Sequence, residues 1–502
     1  MLAKVYAAAC IGLDGELVEI ECDLTNSLPG FVVVGLAARA VDEARERVRS
    51  ALKNSGLTLP PKRITFNLAP ADLPKEGTGY DLAMAVALLI ASRQLESQTT
   101  AGALFLGELA LDGSLRPIKG ALLAAQVAQR QGFTHIYVPA ENAAEAALLR
   151  QGTVIGVRDL RELYYHLAGG QQLKVVKNTS NRPLPSITQA PDLGDICGQA
   201  QAKRALEIAA AGGHNLLFTG RPGSGKTLMA RALIGLLPPP TFSEMLEITK
   251  LHSLAGLNSS SSGVIANRPF RTPHHSASSS ALIGGGLLPR PGEISLSHHG
   301  VLLLDELPEF PRSVLEMLRQ PLEDGQVTVS RALRATTFPA RFMLVGTRNP
   351  CPCGFAGDSR CTCTAHEINH YQRRLSGPLL DRIDLQLEVV PVSPDELMPA
   401  SRAEASSVVA VRVLAARRRQ AERYRDELFQ LNAQLGPAGI IHFCRLDEAS
   451  QRLAAQATRQ FRLSTRAYHR VLKVARTIAD LAGETSIRLS HLSEALQYRA
   501  HS

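Results

Sequence analysis

The feature that most constrains the fold is a glycine-rich loop set between an apolar strand and a helix. An apolar run at 215–218 (NLLF) leads into the loop, and a run typical of a helix, 228–237, follows it. In this order, backbone N–H groups can surround phosphates, and the start of the helix adds partial positive charge. The pattern predicts an α/β nucleotide-binding domain whose phosphate-binding residues are Gly220, Arg221, Pro222, Gly223, Ser224, Gly225, Lys226 and Thr227.

Two carboxylates follow a second apolar run, at 301–304 (VLLL). An acidic pair at the end of a buried strand is costly unless it faces a site. We expect Thr227 and Asp305 to hold Mg²⁺, and Glu306 to polarise the attacking water. Lys226 is expected to reach the β- and γ-phosphates of ATP.

A third strand-like run, 342–345, is followed by GTRN, which places Asn349 beside the first two strand ends. Asn349 is therefore expected to orient the lytic water. Arg382 and Arg466 are candidate cations for the γ-phosphate, because charge neutralisation there accelerates hydrolysis by several orders of magnitude. A surface ion pair is the simpler interpretation of either arginine taken alone.

Length and charge indicate the number of domains and the kind of partner. With 502 residues, of which 45% are hydrophobic, the chain predicts roughly two to four domains. The net charge of +9 fits attraction to a polyanion, and the absence of tryptophan favours contact with a phosphate backbone over base stacking. No signal peptide or membrane-spanning run is recognisable, so we expect a cytoplasmic protein with no membrane partner.

Four segments follow one another along the chain. The first alternates strand-like runs (31–34, 63–68, 104–106 and 135–138) with alanine-rich helical runs and predicts an α+β or α/β domain. A polar, proline-bearing stretch is typical of a linker, and the last part is helical and rich in arginine. The predicted organisation is a domain at 1–170, a linker at 171–190, the ATPase core at 191–395 and a helical lid at 396–502.

Four of the eight cysteines are crowded into a short stretch that follows Asn349. Four thiolates on two tight turns can surround a tetrahedral Zn²⁺. An iron–sulfur cluster and free thiols stay open as alternatives. The predicted ligands are Cys351, Cys353, Cys361 and Cys363.

The run at 366–370 (HEINH) formally matches the helix motif of zinc proteases. A hydrolytic zinc site needs a third protein ligand and a cleft of its own, whereas this run lies inside a segment already assigned to ATP. We therefore do not expect a metalloprotease.

Six segments together resemble the magnesium-chelatase-like AAA+ ATPases, and within them the ComM/YifB competence-related family. They span nearly the whole chain, and the combination is highly specific. The segments are 35–50, 64–81 (ITFNLAPADLPKEGTGYD), 268–286 (RPFRTPHHSASSSALIGGG), 291–310 (PGEISLSHHGVLLLDELPEF), 349–357 and 376–384.

This resemblance implies a homo-hexameric ring. In it, Arg382 serves as the finger that reaches a neighbour's ATP, Asn349 as the first sensor and Arg466 as the second sensor in the lid. A helix-2 insertion at about 257–295 and a hairpin at about 326–339 face the pore. The hairpin carries Arg331 and Arg334, which suit a DNA backbone, although a solvated hairpin tip is the alternative.

The family is thought to bind single-stranded or branched DNA and to drive branch migration with ATP during natural transformation. A protein-remodelling ATPase of the metal-chelatase motor type is the alternative.

The first domain resembles the fold of Lon protease but departs from it at the nucleophile. Gly79 stands where Lon carries serine, and Lys119 lies too early to match the base. A Ser–Lys dyad needs both partners within hydrogen-bond reach, so we do not expect proteolysis, including by Thr78 as a substitute nucleophile. The domain is predicted to be a scaffold or a partner-binding tier.

Overall fold

The computed structural model describes residues 2–35, 39–73, 75, 77–149, 152–176, 190–257, 263–286, 289–330, 335–392 and 403–499. None of the helices in these ranges is long and apolar enough to cross a membrane. The chain divides into two compact units. One comprises Met1–Pro185, Phe242–Ala266 and Leu287–Arg290, and the other comprises Ser186–Thr241, Asn267–Gly286 and Pro291–Ser502.

The strands, in chain order, are β1 (Leu2–Ile11), β2 (Asp14–Thr25), β3 (Gly30–Val34), β4 (Arg63–Ala69), β5 (Ala103–Phe105), β6 (Glu108–Leu109), β7 (Leu115–Arg116), β8 (His135–Pro139), β9 (Thr153–Val157), β10 (Leu216–Gly220), β11 (Phe270–Arg271), β12 (Gly284–Gly285), β13 (Arg290–Pro291), β14 (Val301–Leu304), β15 (Gln326–Ser330), β16 (Ala335–Pro339), β17 (Met343–Arg348) and β18 (Leu385–Val389).

The helices are α1 (Arg39–Asn54), α2 (Asp81–Ala91), α3 (Ala121–Arg130), α4 (Ala143–Ala146), α5 (Leu160–Leu167), α6 (Ala200–Gly212), α7 (Lys226–Ala232), α8 (Phe242–Ala255), α9 (Ser279–Ile283), α10 (Glu293–Leu296), α11 (Arg312–Met317), α12 (Arg319–Asp324), α13 (Ala365–Gln372), α14 (Gly377–Leu380), α15 (Ser406–Arg423), α16 (Pro437–Phe443), α17 (Glu448–Gln460), α18 (Thr465–Ala482) and α19 (Leu489–Gln497).

The N-terminal unit is built on a mixed sheet with strand order β3-β4-β2-β1-β5-β8-β9. The long strands β1 and β2 pair antiparallel as a hairpin, whereas β1, β5, β8 and β9 run parallel to one another. Helix α2 packs on this sheet and is buried along its whole length, which explains its almost uniformly apolar sequence. The four strand-like runs predicted in this part of the chain are confirmed as β3, β4, β5 and β8.

Helix α8 belongs to the N-terminal unit although it follows the phosphate loop in sequence. Helix α3 begins after Gly120, which has no side chain to accept hydrogen bonds from the first N–H groups of the helix. The Ser253 hydroxyl of α8 accepts from the Gly120 N–H at 2.9 Å and donates to the Glu145 carboxylate at 2.6 Å. Glu145 also accepts from the Leu122 N–H at 3.0 Å. Residues 242–266, which lie within the predicted 191–395 segment, therefore complete the N-terminal unit.

The second unit has a parallel five-stranded sheet in the order β11-β14-β17-β10-β18. The strands β10 and β14 are apolar and buried, as expected when both faces of a parallel sheet are covered. Helices from both the middle and the end of the chain share one hydrophobic core with this sheet. The expectation of a multidomain α/β protein with a central parallel sheet and a helical C-terminal part is confirmed.

The C-terminal helices are tied to the sheet by a buried ion pair. Arg470 of α18 donates to Asp384, just before β18, at 2.5 Å. Asp384 is fully buried and also lies 3.3 Å from the Nδ1 atom of His214. Burial opposes the charge of Asp384, but Arg470 and His214 outweigh it and hold the pKa of this carboxyl well below its usual range. The C-terminal helices are therefore held to the sheet by charge as well as by apolar packing.

The predicted hairpin is present as the antiparallel pair β15 and β16. Both strands alternate exposed and buried residues, and the Thr328 and Thr337 hydroxyls face each other at 3.1 Å. Arg331 and Arg334 lie between these strands, outside the described residues.

Candidate nucleotide site and cysteine cluster

The phosphate loop leaves the parallel sheet at Gly220, at the end of β10 between β17 and β18, and ends where α7 begins. Gly220 passes so close to β18 that a Cβ atom there would lie 2.5 Å from the Val389 carbonyl oxygen. Gly225, which precedes α7, has a φ of +87°, a conformation that favours glycine. The glycines are thus required by close approach and by backbone geometry, and they leave the N-terminus of α7 facing the loop.

Lys226 is buried and its ammonium group is held at the loop. It donates to the Gly220 and Arg221 carbonyl oxygens at 2.7 and 2.8 Å, and to the Asn349 Oδ1 atom at 3.3 Å. Burial lowers the pKa of Lys226, while the charges of Asp305 and Glu306 oppose that shift. Two residues predicted from separate strands, Lys226 and Asn349, are therefore in contact.

Thr227 and Asp305 are also brought together. The Thr227 hydroxyl lies 3.0 and 3.2 Å from the two oxygens of the Asp305 carboxylate. A hydroxyl and a carboxylate in this arrangement are oxygen ligands suited to Mg²⁺ or to its water shell. Lys226, Thr227, Asp305 and Asn349 thus meet at the C-terminal edge of the parallel sheet.

Thr347 orients both acidic residues and was not predicted from the sequence. Its hydroxyl donates to Asp305 at 2.5 Å and accepts from the Glu306 N–H at 3.0 Å. Glu306 itself has a φ of +53°, which is unusual for a residue with a side chain and is typical of constrained functional positions. The sequence did contain a hint of its role, because Thr347 lies in the run GTRN, which ends at the predicted Asn349.

The two candidate arginines meet one acidic residue. Arg382 is buried, and its guanidinium contacts Glu323 at 2.5 Å and donates to the Arg319 carbonyl oxygen at 3.1 Å. Arg466 is exposed and lies 3.7 Å from the same Glu323 carboxylate. A cleft of about 480 Å³ is lined by residues of α12 and by Arg382. In this chain, both arginines are therefore placed at α12 by ion pairs with Glu323.

The four clustered cysteines come together as one group. Their sulfur atoms all lie within 4.8 Å of one another, and Cys351 is 3.3 Å from Cys353 and 3.9 Å from Cys361. Tetrahedral thiolates at the usual zinc–sulfur bond length are about 3.8 Å apart. Hydrogen bonds from the Phe355 and Thr362 backbone lower the pKa of Cys353 to about 6. For Cys361 and Cys363, backbone hydrogen bonds lower the pKa, but burial and the neighbouring thiols outweigh them and raise it. The four residues, with Cys363 as the last, fit a four-thiolate metal centre.

Comparison with known proteins covers the whole chain. The family described as "Magnesium chelatase, subunit ChlI" matches residues 192–397, "Subunit ChlI of Mg-chelatase" matches 20–142, and "Magnesium chelatase, subunit ChlI C-terminal" matches 403–499. The chain is 46% identical over 505 residues to "Uncharacterized protein YifB" of Salmonella typhimurium, covering 99% of this chain and 97% of that protein. It is also 46% identical over 506 residues to "Competence protein ComM" of Haemophilus influenzae, with the same coverage.

The chain belongs to the ComM/YifB family of magnesium-chelatase-like AAA+ proteins. A shorter stretch of 162 residues is 30% identical to "Magnesium-chelatase 67 kDa subunit" of Chlorobaculum parvum. It covers 31% of this chain and 23% of that protein. The AAA+ ATPase family implies ATP and Mg²⁺, which agrees with the residue types at the sheet edge.

The HEINH run of this ComM/YifB protein forms α13. Glu367 caps the start of that helix by accepting hydrogen bonds from the Thr364 N–H and hydroxyl. His366 and His370 stack on each other at the surface, and among the described residues no third metal ligand lies with them. The glutamate thus caps the start of the helix.

In the segment of the N-terminal unit that resembles Lon protease, Thr78 lies next to the carboxylate of Glu108. The Thr78 hydroxyl donates to Glu108, and the neighbouring Gly79 offers no hydroxyl. Lys119 lies against Gly256, which follows α8. In the structure, the partner of the Thr78 hydroxyl is an acid rather than the lysine that a Ser–Lys dyad uses.

Proposed function

We propose that the protein is a cytoplasmic ATPase that translocates on DNA and promotes branch migration of recombination intermediates during natural transformation. The observation that carries this proposal is the 46% identity, over nearly the full length of both chains, to a protein named for competence. The candidate nucleotide site supports it, because Lys226 contacts Asn349 and Thr227 contacts Asp305 at one edge of the parallel sheet.

In this proposal each residue at the sheet edge has one task. The loop N–H groups and Lys226 bind the β- and γ-phosphates of ATP, and Thr227 with Asp305 holds Mg²⁺, which neutralises phosphate charge. Glu306 accepts a proton from the attacking water as Asn349 orients it. Thr347 fixes the Asp305 carboxylate and the backbone of Glu306 through its two hydrogen bonds.

We further propose that six copies form a ring with the ATP sites between subunits. Arg382 would then serve as the finger for a neighbour's γ-phosphate, and Arg466 as the second sensor. Both lie at Glu323, so a γ-phosphate entering from the neighbour competes with this carboxylate for the same cations. Arg382 is buried and paired with Glu323 in this chain, so action as a finger requires its guanidinium to leave that ion pair.

The DNA contacts are proposed at the hairpin and on the lid. In the sequence, Arg331 and Arg334 follow β15 and precede β16. Helix α17 of the lid exposes Arg452 and Arg459 seven residues apart, which places them on one face of the helix. Exposed arginines of this kind suit a phosphate backbone without reading base sequence.

DNA is expected to raise the ATPase rate several-fold, with a four-way junction at least as effective as single-stranded DNA. The double variant Arg331→Gln with Arg334→Gln should lose most of this stimulation while keeping its rate without DNA. Its DNA affinity should also depend less on salt, with the slope falling by about one for each phosphate that the variant no longer binds.

The matched control removes the same charge elsewhere, as Arg45→Gln with Arg130→Gln, two exposed arginines of the N-terminal unit. Equal stimulation in the hairpin variant and in the unmodified protein would contradict the hairpin assignment. A protein that hydrolyses ATP but ignores every DNA would contradict the DNA motor itself and favour the protein-remodelling alternative. That alternative is supported by the similarity to magnesium-chelatase subunits.

We propose zinc as the metal of the cysteine cluster. The purified protein is expected to contain one zinc ion per chain, measured by elemental mass spectrometry, because four sulfurs within 4.8 Å match a structural zinc centre. The variant Cys353→Ser with Cys361→Ser should lose the ion. Cys444→Ser should keep it, since Cys444 is buried in the lid core away from the cluster residues. Iron with cluster absorption, or four titratable thiols without metal, would contradict zinc.

For the N-terminal unit we propose a Lon-like scaffold without protease activity. The absence of a nucleophile at Gly79 and the engagement of Thr78 by Glu108 support this role. Casein incubated with the protein and ATP should stay intact, and its degradation would point to an ATP-dependent protease.

A further inference from the structure

The loop that carries the four cysteines touches the phosphate loop directly. We propose that a metal held by these cysteines fixes the phosphate loop in its nucleotide-binding geometry, through an ion pair between Asp358 of the cysteine loop and Arg221. The inference rests on the proposed ATP site and concerns its regulation: the affinity for nucleotide depends on the occupancy of the metal centre.

Two consecutive residues of the phosphate loop make the contact. The Arg221 guanidinium lies 2.5 Å from the Asp358 carboxylate. Gly354, between the two cysteine pairs, has a φ of +84°, and a Cβ atom there would lie 2.6 Å from the ring of Pro222. The phosphate loop is therefore held on this side by both charge and steric packing.

Asp358 is oriented by its own loop. Its carboxylate accepts from the Arg360 N–H at 2.9 Å and from the Arg360 Nε at 3.1 Å. The Arg360 guanidinium lies over the Phe355 ring at 4.5 Å. The hydrogen bonds from Arg360 also hold the pKa of Asp358 below its usual range, so the group is a carboxylate throughout the neutral range.

The backbone of Asp358 joins it to both halves of the cluster. Its N–H donates to the Phe355 carbonyl at 2.9 Å, two residues after Cys353, and its carbonyl accepts from the Cys361 N–H at 3.0 Å. The stretch from Cys351 to Cys363 contains only turns and bends, without helix or strand. A loop of this kind gains its order from a cross-link, and metal binding supplies one because its free energy is coupled to local folding.

Arg221 also contacts Lys226, the lysine of the phosphate loop. The Arg221 carbonyl oxygen is one of the three acceptors that hold the Lys226 ammonium group. A shift of Arg221 therefore changes the position of the lysine that binds the phosphates. The sequence of contacts runs from the metal ligands to Asp358, then to Arg221, and then to Lys226, so Asp358 is a positioning residue.

The test measures the affinity of a fluorescent ATP analogue for the full-length protein, with zinc content recorded for every sample. In zinc-loaded protein, Asp358→Asn and Arg221→Gln are each expected to weaken binding roughly three- to tenfold, as for a partly buried ion pair. The double variant should be no weaker than the single ones, because both changes remove the same contact. Arg221→Gln alters no residue of the cysteine loop, but Arg221 also belongs to the phosphate loop, so the decisive comparison is whether Asp358→Asn weakens binding further once Arg221 has been replaced.

Zinc removal completes the test. A mercurial thiol reagent followed by a chelator should weaken nucleotide binding by unmodified protein by a similar factor. The same treatment should weaken it less in Asp358→Asn, where the ion pair is already lost and only the packing of Gly354 on Pro222 is left. The matched control is Glu448→Gln, which removes an exposed carboxylate paired with Arg452 on α17 and should respond to zinc removal as the unmodified protein does.

Three results would overturn the inference: additive effects of the two substitutions, normal affinity in both single variants, or equal weakening on zinc removal with and without Asp358. If zinc-loaded unmodified protein binds no ATP at all, the proposed function fails as well. Normal ATP binding with any of the three results refutes the metal connection alone.

Discussion

Replacing Glu306 by glutamine is expected to lower the rate of ATP hydrolysis by about 10²- to 10⁴-fold while ATP stays bound. Glutamine has nearly the same shape and keeps the backbone N–H that donates to Thr347, but it cannot accept a proton from water. Steady-state phosphate release and retention of a labelled ATP measure the two effects. The expected outcome is a protein trapped with uncleaved ATP.

Two comparisons make this result specific. Lys226→Ala should lose both binding and hydrolysis, because it removes the cation that three acceptors hold at the loop. Glu309→Gln, which alters a neighbouring carboxylate paired with Arg374 at 3.2 Å, should hydrolyse normally. Hydrolysis by Glu306→Gln within a few-fold of the normal rate would show that another group activates the water.

Replacing Arg382 by alanine is expected to lower hydrolysis by about 10³-fold or more, the effect of removing an arginine finger. The same change leaves the phosphate loop of its own subunit intact, so ATP binding should persist. A change in rate alone would also follow if Arg382 only braced α12 through Glu323. Mixing subunits separates these roles.

Subunits with Arg382→Ala have a complete phosphate loop, and subunits with Lys226→Ala have a complete arginine. If the finger acts between subunits, a mixture of the two inactive proteins should recover part of the ATPase rate, because some interfaces then contain both groups. Arg374→Ala in place of Arg382→Ala serves as the matched control and should be active by itself. No recovery at any mixing ratio, in rings shown to exchange subunits, would contradict action in trans.

The nucleotide site was predictable because its signals are local. Asp305 and Asn349 each follow an apolar strand directly, and the loop that ends at Lys226 follows a third, so that parallel strands bring these residues to one edge. The hairpin β15–β16 was predictable for the same reason, because the alternation of side-chain types that indicates each strand is visible within five residues. By contrast, β1 is rich in alanine and was not predicted as a strand.

Contacts between residues that are far apart in the sequence could not be predicted. Thr347 reaches Asp305 across 42 positions, and Arg221 reaches Asp358 across 137 positions. A single sequence carries no sign of such pairs, because each residue by itself is an ordinary polar side chain. The assignment of α8 to the N-terminal unit could not be predicted for a similar reason. Helical periodicity shows that one face of a helix is buried, but it does not show which part of the protein packs against that face.

The position of α8 has a consequence for how the protein can be divided. The chain leaves the ATPase part after α7, contributes 242–266 to the N-terminal unit, and returns at β11. Cutting away the first 170 residues would therefore expose Val264 and leave the buried Ser253 hydroxyl without Glu145. A single cut therefore cannot remove the N-terminal unit intact, because residues 242–266, from the middle of the sequence, complete its fold.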